Sequence, residues 1–216
     1  MHPDFQRAHF LTAAAALAGT PPDQGREVAF AGRSNAGKSS ALNALCHQHG
    51  LARTSKTPGR TQQLVFFEID AERRLVDLPG YGFARVSVAV KQGWQRLMSH
   101  YLARRQSLRG LVIVMDIRHP LGESDRQMLT WGTAAELPML LLLTKADKLG
   151  RGAIRQTEAQ VRRAVGAGPI VVHAFSATSR LGLEQVQGHI ASWLGLAGAP
   201  VASKPVQNMT RDPPRR

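Results

Sequence analysis

Hydrophobic residues along the chain fall into short runs of two kinds. Val28-Ala29-Phe30-Ala31, Leu111-Val112-Ile113-Val114-Met115 and Met139-Leu140-Leu141-Leu142-Leu143 are continuous and of strand length. Such runs suit strands covered on both faces of a parallel sheet. A further run over 169–174 reads the same way. Val65, Phe67 and Ile69 alternate instead, and Leu75-Val76-Asp77 follows after a polar break, so this stretch predicts a hairpin. Helical spacing marks the segments between. Trp94, Leu97, Met98, Tyr101 and Leu102 recur at i, i+3, i+4, i+7 and i+8, a stripe that reads as core packing rather than a cofactor surface. Residues 38–47 predict a helix after a glycine loop, and Leu183, Val186, Ile190 and Leu194 predict a final one. Residues 49–62 are polar around Pro58-Gly59 and predict a loop. Strands, helices and one hairpin therefore alternate. That order predicts an α/β fold in three layers, its sheet mostly parallel with one antiparallel edge strand, and helices on both faces.

Composition adjusts this picture at the ends. With 216 residues and 43% hydrophobic content, the chain suffices for one domain with a full core. Its single cysteine, Cys46, excludes an internal disulfide and reads as a small buried residue in a reducing, cytoplasmic setting. The apolar run from Leu137 to Leu143 is too short to cross a bilayer. Phe10 to Ala18 loosely resembles the apolar part of a signal peptide, but Asp4 and a lone Arg7 make a poor basic leader. Residues 1–24 are therefore expected to be an extension packed on the domain, and residues 25–197 the domain itself. Prolines and basic residues dominate 198–216, which predict a disordered basic tail. The net charge of +13 favours a polyanionic partner, nucleic acid or a ribonucleoprotein.

Chemistry enters with Gly32-Arg33-Ser34-Asn35-Ala36-Gly37-Lys38-Ser39, which fits the phosphate-binding pattern G-x-x-x-x-G-K-[ST] between a strand and a helix. Glycines let the backbone turn and approach closely, so successive N–H groups point inward, and the helix adds the positive end of its dipole. Lys38 is positioned to reach the β- and γ-phosphates, and the Ser39 hydroxyl to ligate Mg²⁺. The fold reading narrows to a P-loop NTPase sandwich. Thr144-Lys145-Ala146-Asp147 directly follows a strand run, and ligands sit outside the carboxyl ends of such strands. The Asp147 carboxylate can accept from both N1–H and the exocyclic amine of guanine, a donor pair adenine lacks. Lys145 would cover the base plane with its stem. Ser176-Ala177-Thr178 follows another strand, where a backbone N–H can meet guanine O6. Asp77-Leu78-Pro79-Gly80 ends the hairpin, with Asp77 suited to the magnesium shell and the Gly80 N–H to the γ-phosphate. Thr54, Ser55, Thr57 and Thr61 all offer hydroxyls in the preceding loop, and spacing does not choose among them.

The motifs in this order resemble the translation-factor-related class of P-loop GTPases. More narrowly, Gly32 to Ser40, Lys56-Thr57-Pro58-Gly59-Arg60-Thr61-Gln62 and Asp77-Leu78-Pro79-Gly80-Tyr81-Gly82-Phe83-Ala84 resemble the EngB family, over roughly Phe10 to Leu196. The resemblance implies a single-domain bacterial GTPase linked to large ribosomal subunit assembly, cell division and septation. It implies Thr61 as the switch threonine on magnesium beside Ser39. It extends the nucleotide-contacting set to Gly59, Arg60, Gln62, Gln63, Leu78, Pro79 and Phe175, with Lys38, Thr61 and Gly80 carrying the reaction. A monomer that binds GTP and GDP is expected.

Many GTPases place a water-orienting glutamine just after D-x-x-G, but here that position is Tyr81. Slow intrinsic turnover is expected, completed by a partner or an ion. A potassium ion beside Asn35 would supply the charge that an arginine finger supplies elsewhere. The rival reading is a basic RNA-binding module that guanine nucleotide merely stabilises.

Overall fold

The computed structural model describes residues 2–52, 63–81, 88–166 and 168–196. Residues 53–62 of the loop predicted over 49–62, and the predicted tail over 198–216, lie outside the described residues. Pro3–Arg7 form a 3₁₀ turn that buries Phe5, and β1 (His9–Ala14) follows. β2 (Arg26–Gly32) runs into the glycine loop and α1 (Lys38–Cys46). β3 (Leu64–Asp70) and β4 (Arg73–Asp77) form the hairpin. Then α2 (Val88–Arg104), β5 (Leu108–Asp116), α3 (Glu123–Ala134), β6 (Met139–Thr144), α4 (Arg151–Val165), β7 (Ile170–Ala174) and α5 (Leu183–Leu194) alternate to the end of the described chain.

The seven strands lie in the order β1-β3-β4-β2-β5-β6-β7. β3 is antiparallel to both of its neighbours, whereas β4, β2, β5, β6 and β7 are parallel. The α/β class and mostly parallel sheet predicted from the hydrophobic pattern are observed. The antiparallel strand sits one place in from the edge, because part of the N-terminal segment adds β1 outside it. Its sequence, His9-Phe10-Leu11-Thr12-Ala13-Ala14, has no alternation, and Phe10 and Leu11 are exposed on the edge.

Continuous apolar runs make sense once the two faces are seen. In β5, Leu111, Ile113 and Met115 point to the core under α2, α3 and α4, while Val112 and Val114 point to the core under α1 and α5. β6 divides in the same way, with Met139, Leu141 and Leu143 on one face and Leu140 and Leu142 on the other. Each such side chain contributes roughly 1.5–3 kcal/mol by leaving water. The helical stripe lands as predicted: Met98, Tyr101 and Leu102 are buried, with Trp94 and Leu97 packed at its margin.

The amino end of the parallel strands is closed by charge. Glu27 of β2 is wholly buried and accepts from Arg74 Nη1 (3.0 Å), Arg105 Nη2 (2.7 Å) and the Tyr101 hydroxyl (2.9 Å). This network ties β2, β4 and the end of α2 together, and it leaves the carboxyl ends for the loops.

Candidate functional site

Parallel register brings the predicted motifs to one end of the sheet. Phe30 pairs with Asp77, Gly32 with Val114, Asp116 with Thr144, and Leu143 with Ala174. The glycine loop after β2, the Asp77–Gly80 turn after β4, the Thr144–Asp147 turn after β6 and the Phe175–Ala177 turn after β7 therefore sit side by side. That is the crevice where open α/β sheets hold ligands.

The glycine loop is shaped by close approach. A Cβ on Gly32 would lie 2.8 Å from the Val114 carbonyl oxygen, so β2 can pass β5 there only without a side chain. Gly37 has φ +93°, a left-handed conformation that favours glycine, and α1 begins directly after it. Arg33, Ser34 and Asn35 are exposed, Ala36 is buried, and Gly37, Lys38 and Ser39 are half-buried. Lys38 Nζ donates to Asp77 Oδ1, which joins the loop lysine to the carboxylate of the hairpin end.

The Asp77–Gly80 turn continues beside β2. Leu78 N–H donates to the Phe30 carbonyl (2.9 Å), Leu78 and Pro79 are buried, and Gly80 is half-buried. Tyr81 then forms a parallel bridge with Arg33.

On the other side, the Thr144 hydroxyl sits between the carbonyls of Ala36 and Met115, 2.9 Å from the latter. Lys145 is left-handed at φ +59°, and its ammonium donates to the Asn35 carbonyl (2.8 Å) and pairs with Asp116 (3.0 Å). Ala146 is buried, its N–H on the Phe175 carbonyl at 3.1 Å. Asp147 Oδ1 accepts from the Ser176 hydroxyl at 2.7 Å, and Ser176 Oγ accepts the Ser179 N–H at 3.1 Å. The Ser176 hydroxyl, with Lys148 beside it, holds the Asp147 carboxyl below the usual range, so it stays an acceptor-only carboxylate. Phe175 and Ser176 are buried and Ala177 is half-buried.

Not every predicted site residue can be placed. Gln63 is exposed just before β3. Gly59, Arg60, Thr61 and Gln62 lie outside the described residues. Tyr81, which stands where other GTPases place the water-orienting glutamine, is only 3% exposed and turned into the protein.

Two site residues escaped sequence reasoning. Asp116 ends β5 and accepts from Arg118 and Lys145, which together hold its carboxyl well below the ordinary range. Its place directly after a continuous apolar run was the signal that could have found it. Asp125 of α3 accepts the Tyr81 hydroxyl at 3.0 Å, and nothing local in the sequence announces that contact.

Hard oxygen donors suit magnesium. The Asp77 carboxylate lies beside the residue that leads into Ser39, so the donor set fits a divalent cation at the start of α1. Among the described residues no group of three or more His, Cys, Asp or Glu forms a further metal centre.

The family model for 50S ribosome-binding GTPases matches residues 27–145. The "Probable GTP-binding protein EngB" of Idiomarina loihiensis is 54% identical over 192 residues, covering 88% of this chain and 93% of that protein. Its counterpart from Glaesserella parasuis is 53% identical over 192 residues, with 88% and 92% coverage. Among solved structures, a probable GTP-binding protein EngB superposes with a TM-score of 0.60 at 20% identity, over 78% of this chain and 98% of that one. A point variant of Aquifex aeolicus Era bound to GDP and AlF4⁻ gives 0.61 at 18% identity, over 88% and 62%. The structural likenesses speak to fold alone.

Proposed function

Because the chain belongs to the EngB family of GTP-binding proteins, we propose that it hydrolyses GTP slowly, as a monomeric cytoplasmic switch in large ribosomal subunit assembly on which normal cell division and septation depend. The observation that carries the guanine assignment is Asp147. It is an exposed carboxylate held in place by Ser176, and it ends a turn whose Lys145 grips the phosphate loop.

In this reading the N–H groups of Arg33, Ser34, Asn35, Ala36 and Gly37 cradle phosphate, and Lys38 exchanges Asp77 for the β- and γ-phosphates. Magnesium would be held by the Ser39 and Thr61 hydroxyls, with Asp77 acting through water. The ion would neutralise charge on the β- and γ-phosphate oxygens. Gly80 presents its N–H to the γ-phosphate, and Asp147 accepts from guanine N1–H and the exocyclic amine. Lys145 covers the base plane, and the backbone at Ser176-Ala177 meets guanine O6. Potassium beside Asn35 would supply the charge that an arginine finger supplies elsewhere. Equal turnover in potassium and sodium buffers would remove that ion from the scheme.

The description of the matched family names ribosome binding. The charge supports a ribosomal RNA partner: α4 alone carries Arg151, Arg155, Arg162 and Arg163 against Glu158. A second reading, a basic ribosome-binding module with negligible turnover, is favoured by one feature, the burial of Tyr81 where a glutamine would orient water. Ribosome affinity compared between GDP and GTP forms separates the two, since a ligand shifts states only through differential affinity.

The deciding experiment is calorimetry with GDP, GTP and ATP in magnesium, on the native chain and on Asp147→Asn. Guanine binding that rejects ATP and weakens about 100-fold or more in the variant is expected. ATP bound as tightly as GTP would end the guanine assignment.

A further inference from the structure

Tyr81 holds the position next to Gly80, yet its side chain is committed elsewhere. Its backbone is stitched to the phosphate loop, with the N–H on the Gly32 carbonyl (3.3 Å) and the carbonyl on the Ser34 N–H (3.0 Å). Its ring leans on Trp94 of α2 at 5.8 Å between centroids, and Trp94 reaches Trp131 of α3 at 6.3 Å. Its hydroxyl donates to Asp125 Oδ1 at 3.0 Å. Asp125 is wholly buried, and its other oxygen accepts the Gly122 N–H at 3.0 Å. Arg33 flanks the same turn, with its Nη1 3.2 Å from where a Cβ on Gly122 would stand.

A buried carboxylate costs desolvation that an apolar contact between helices would avoid. What the pair adds is direction. It fixes the phenol, hence the backbone of Tyr81, hence the peptide that joins it to Gly80.

We infer that Tyr81 and Asp125 form a latch that sets Gly80 in register with the phosphate loop and couples γ-phosphate engagement to α3. Both are positioning residues acting through the Gly80 N–H, and the inference rests on the reading that this N–H meets the γ-phosphate. GDP has no γ-phosphate, so breaking the latch weakens GTP binding selectively. The Trp94–Trp131 pair reports the change, while Trp193 lies elsewhere, against Gly110 of β5.

The test measures affinity for GDP and for a non-hydrolysable GTP analogue, with tryptophan emission in each state. It uses the full chain and the variants Tyr81→Phe, Asp125→Leu and Asp125→Asn. Tyr81→Phe keeps the ring and removes only the hydroxyl. It is expected to weaken the analogue about 10-fold relative to GDP and to shrink the emission difference between the two states. Asp125→Leu should behave alike, and the ratio is read on whichever of these two keeps the native circular-dichroism spectrum. Asp125→Asn restores the native ratio, since its amide can donate to the phenol oxygen while its carbonyl accepts the Gly122 N–H. An unchanged ratio in the disrupting variants overturns the latch, as does equal loss for both nucleotides. Failure of the native chain to bind GDP would instead overturn the switch reading, and the latch with it.

Discussion

Lys145 joins two loops that are far apart in the sequence. Its ammonium joins the Asn35 carbonyl and Asp116, so the turn after β6 is tied to the phosphate loop after β2. Removing it in Lys145→Ala should weaken GDP and GTP alike, by about 10- to 100-fold, because the lost charge-assisted bonds serve both nucleotides. Calorimetry that showed loss for GTP only would contradict that role. The residue type was legible in the linear pattern, but its grip on Asn35 was not, since that contact depends on a loop 110 residues away. Cys46 is the opposite case, legible as a buried residue from composition and found fully buried on α1. Burial pushes its thiol up to about 12, so a thiol reagent at neutral pH should label it only as the chain unfolds. Labelling at native rates comparable to a free thiol would show that α1 opens locally.

Among the elements, β2 is fastened at both ends. At its amino end Glu27 balances Arg74 and Arg105 in a buried network with Tyr101. Glu27→Ala strands two arginines and is expected to cost about 3–5 kcal/mol, read as a lower urea midpoint with an unchanged slope. A loss below about 1 kcal/mol would mean that water reaches the arginines. Helix α5 depends on a different device, the face of Trp193 laid against Gly110, where any Cβ would overlap the ring. Gly110→Ala should therefore destabilise by about 1–3 kcal/mol without altering nucleotide affinity. Strand β1 shows where element reading falls short. An edge strand buries only part of itself, so an alanine-rich segment with no period can still complete the sheet by backbone pairing with β3.

At the scale of the molecule, pH bears on stability through a histidine pair between β7 and α5. The Nε2 atoms of His173 and His189 lie 3.0 Å apart, close enough for one N–H to donate to the other ring and too close for both to be charged. Burial lowers both imidazoles below the ordinary value; His189 and Arg162 lower His173 further, against the pull of Glu158. A histidine depressed in the folded state binds its proton more readily unfolded. The pair's contribution is thus present above the unfolded value of about 6.5 and is lost as pH falls through the lower folded values. Melting temperature measured between about pH 7.5 and about pH 5.5, the range that brackets histidine titration, should fall more for the native chain than for His189→Gln. Parallel curves would clear the pair of any role.

Strand runs, the glycine loop and the Asp77, Thr144–Asp147 and Ser176 motifs were readable along the chain because their physics is local: a period of burial, a turn that needs glycine, a carboxylate after a strand. Their convergence on one end of the sheet also followed, since parallel strands carry every carboxyl end the same way. Folding was needed for what joins distant segments. Asp116 meets Lys145 across neighbouring strands, Tyr81 turns inward to Asp125 on α3, and Glu27 gathers arginines from β4 and the end of α2. Side-chain direction and burial are set by packing among elements far apart in the sequence, and no local period encodes them.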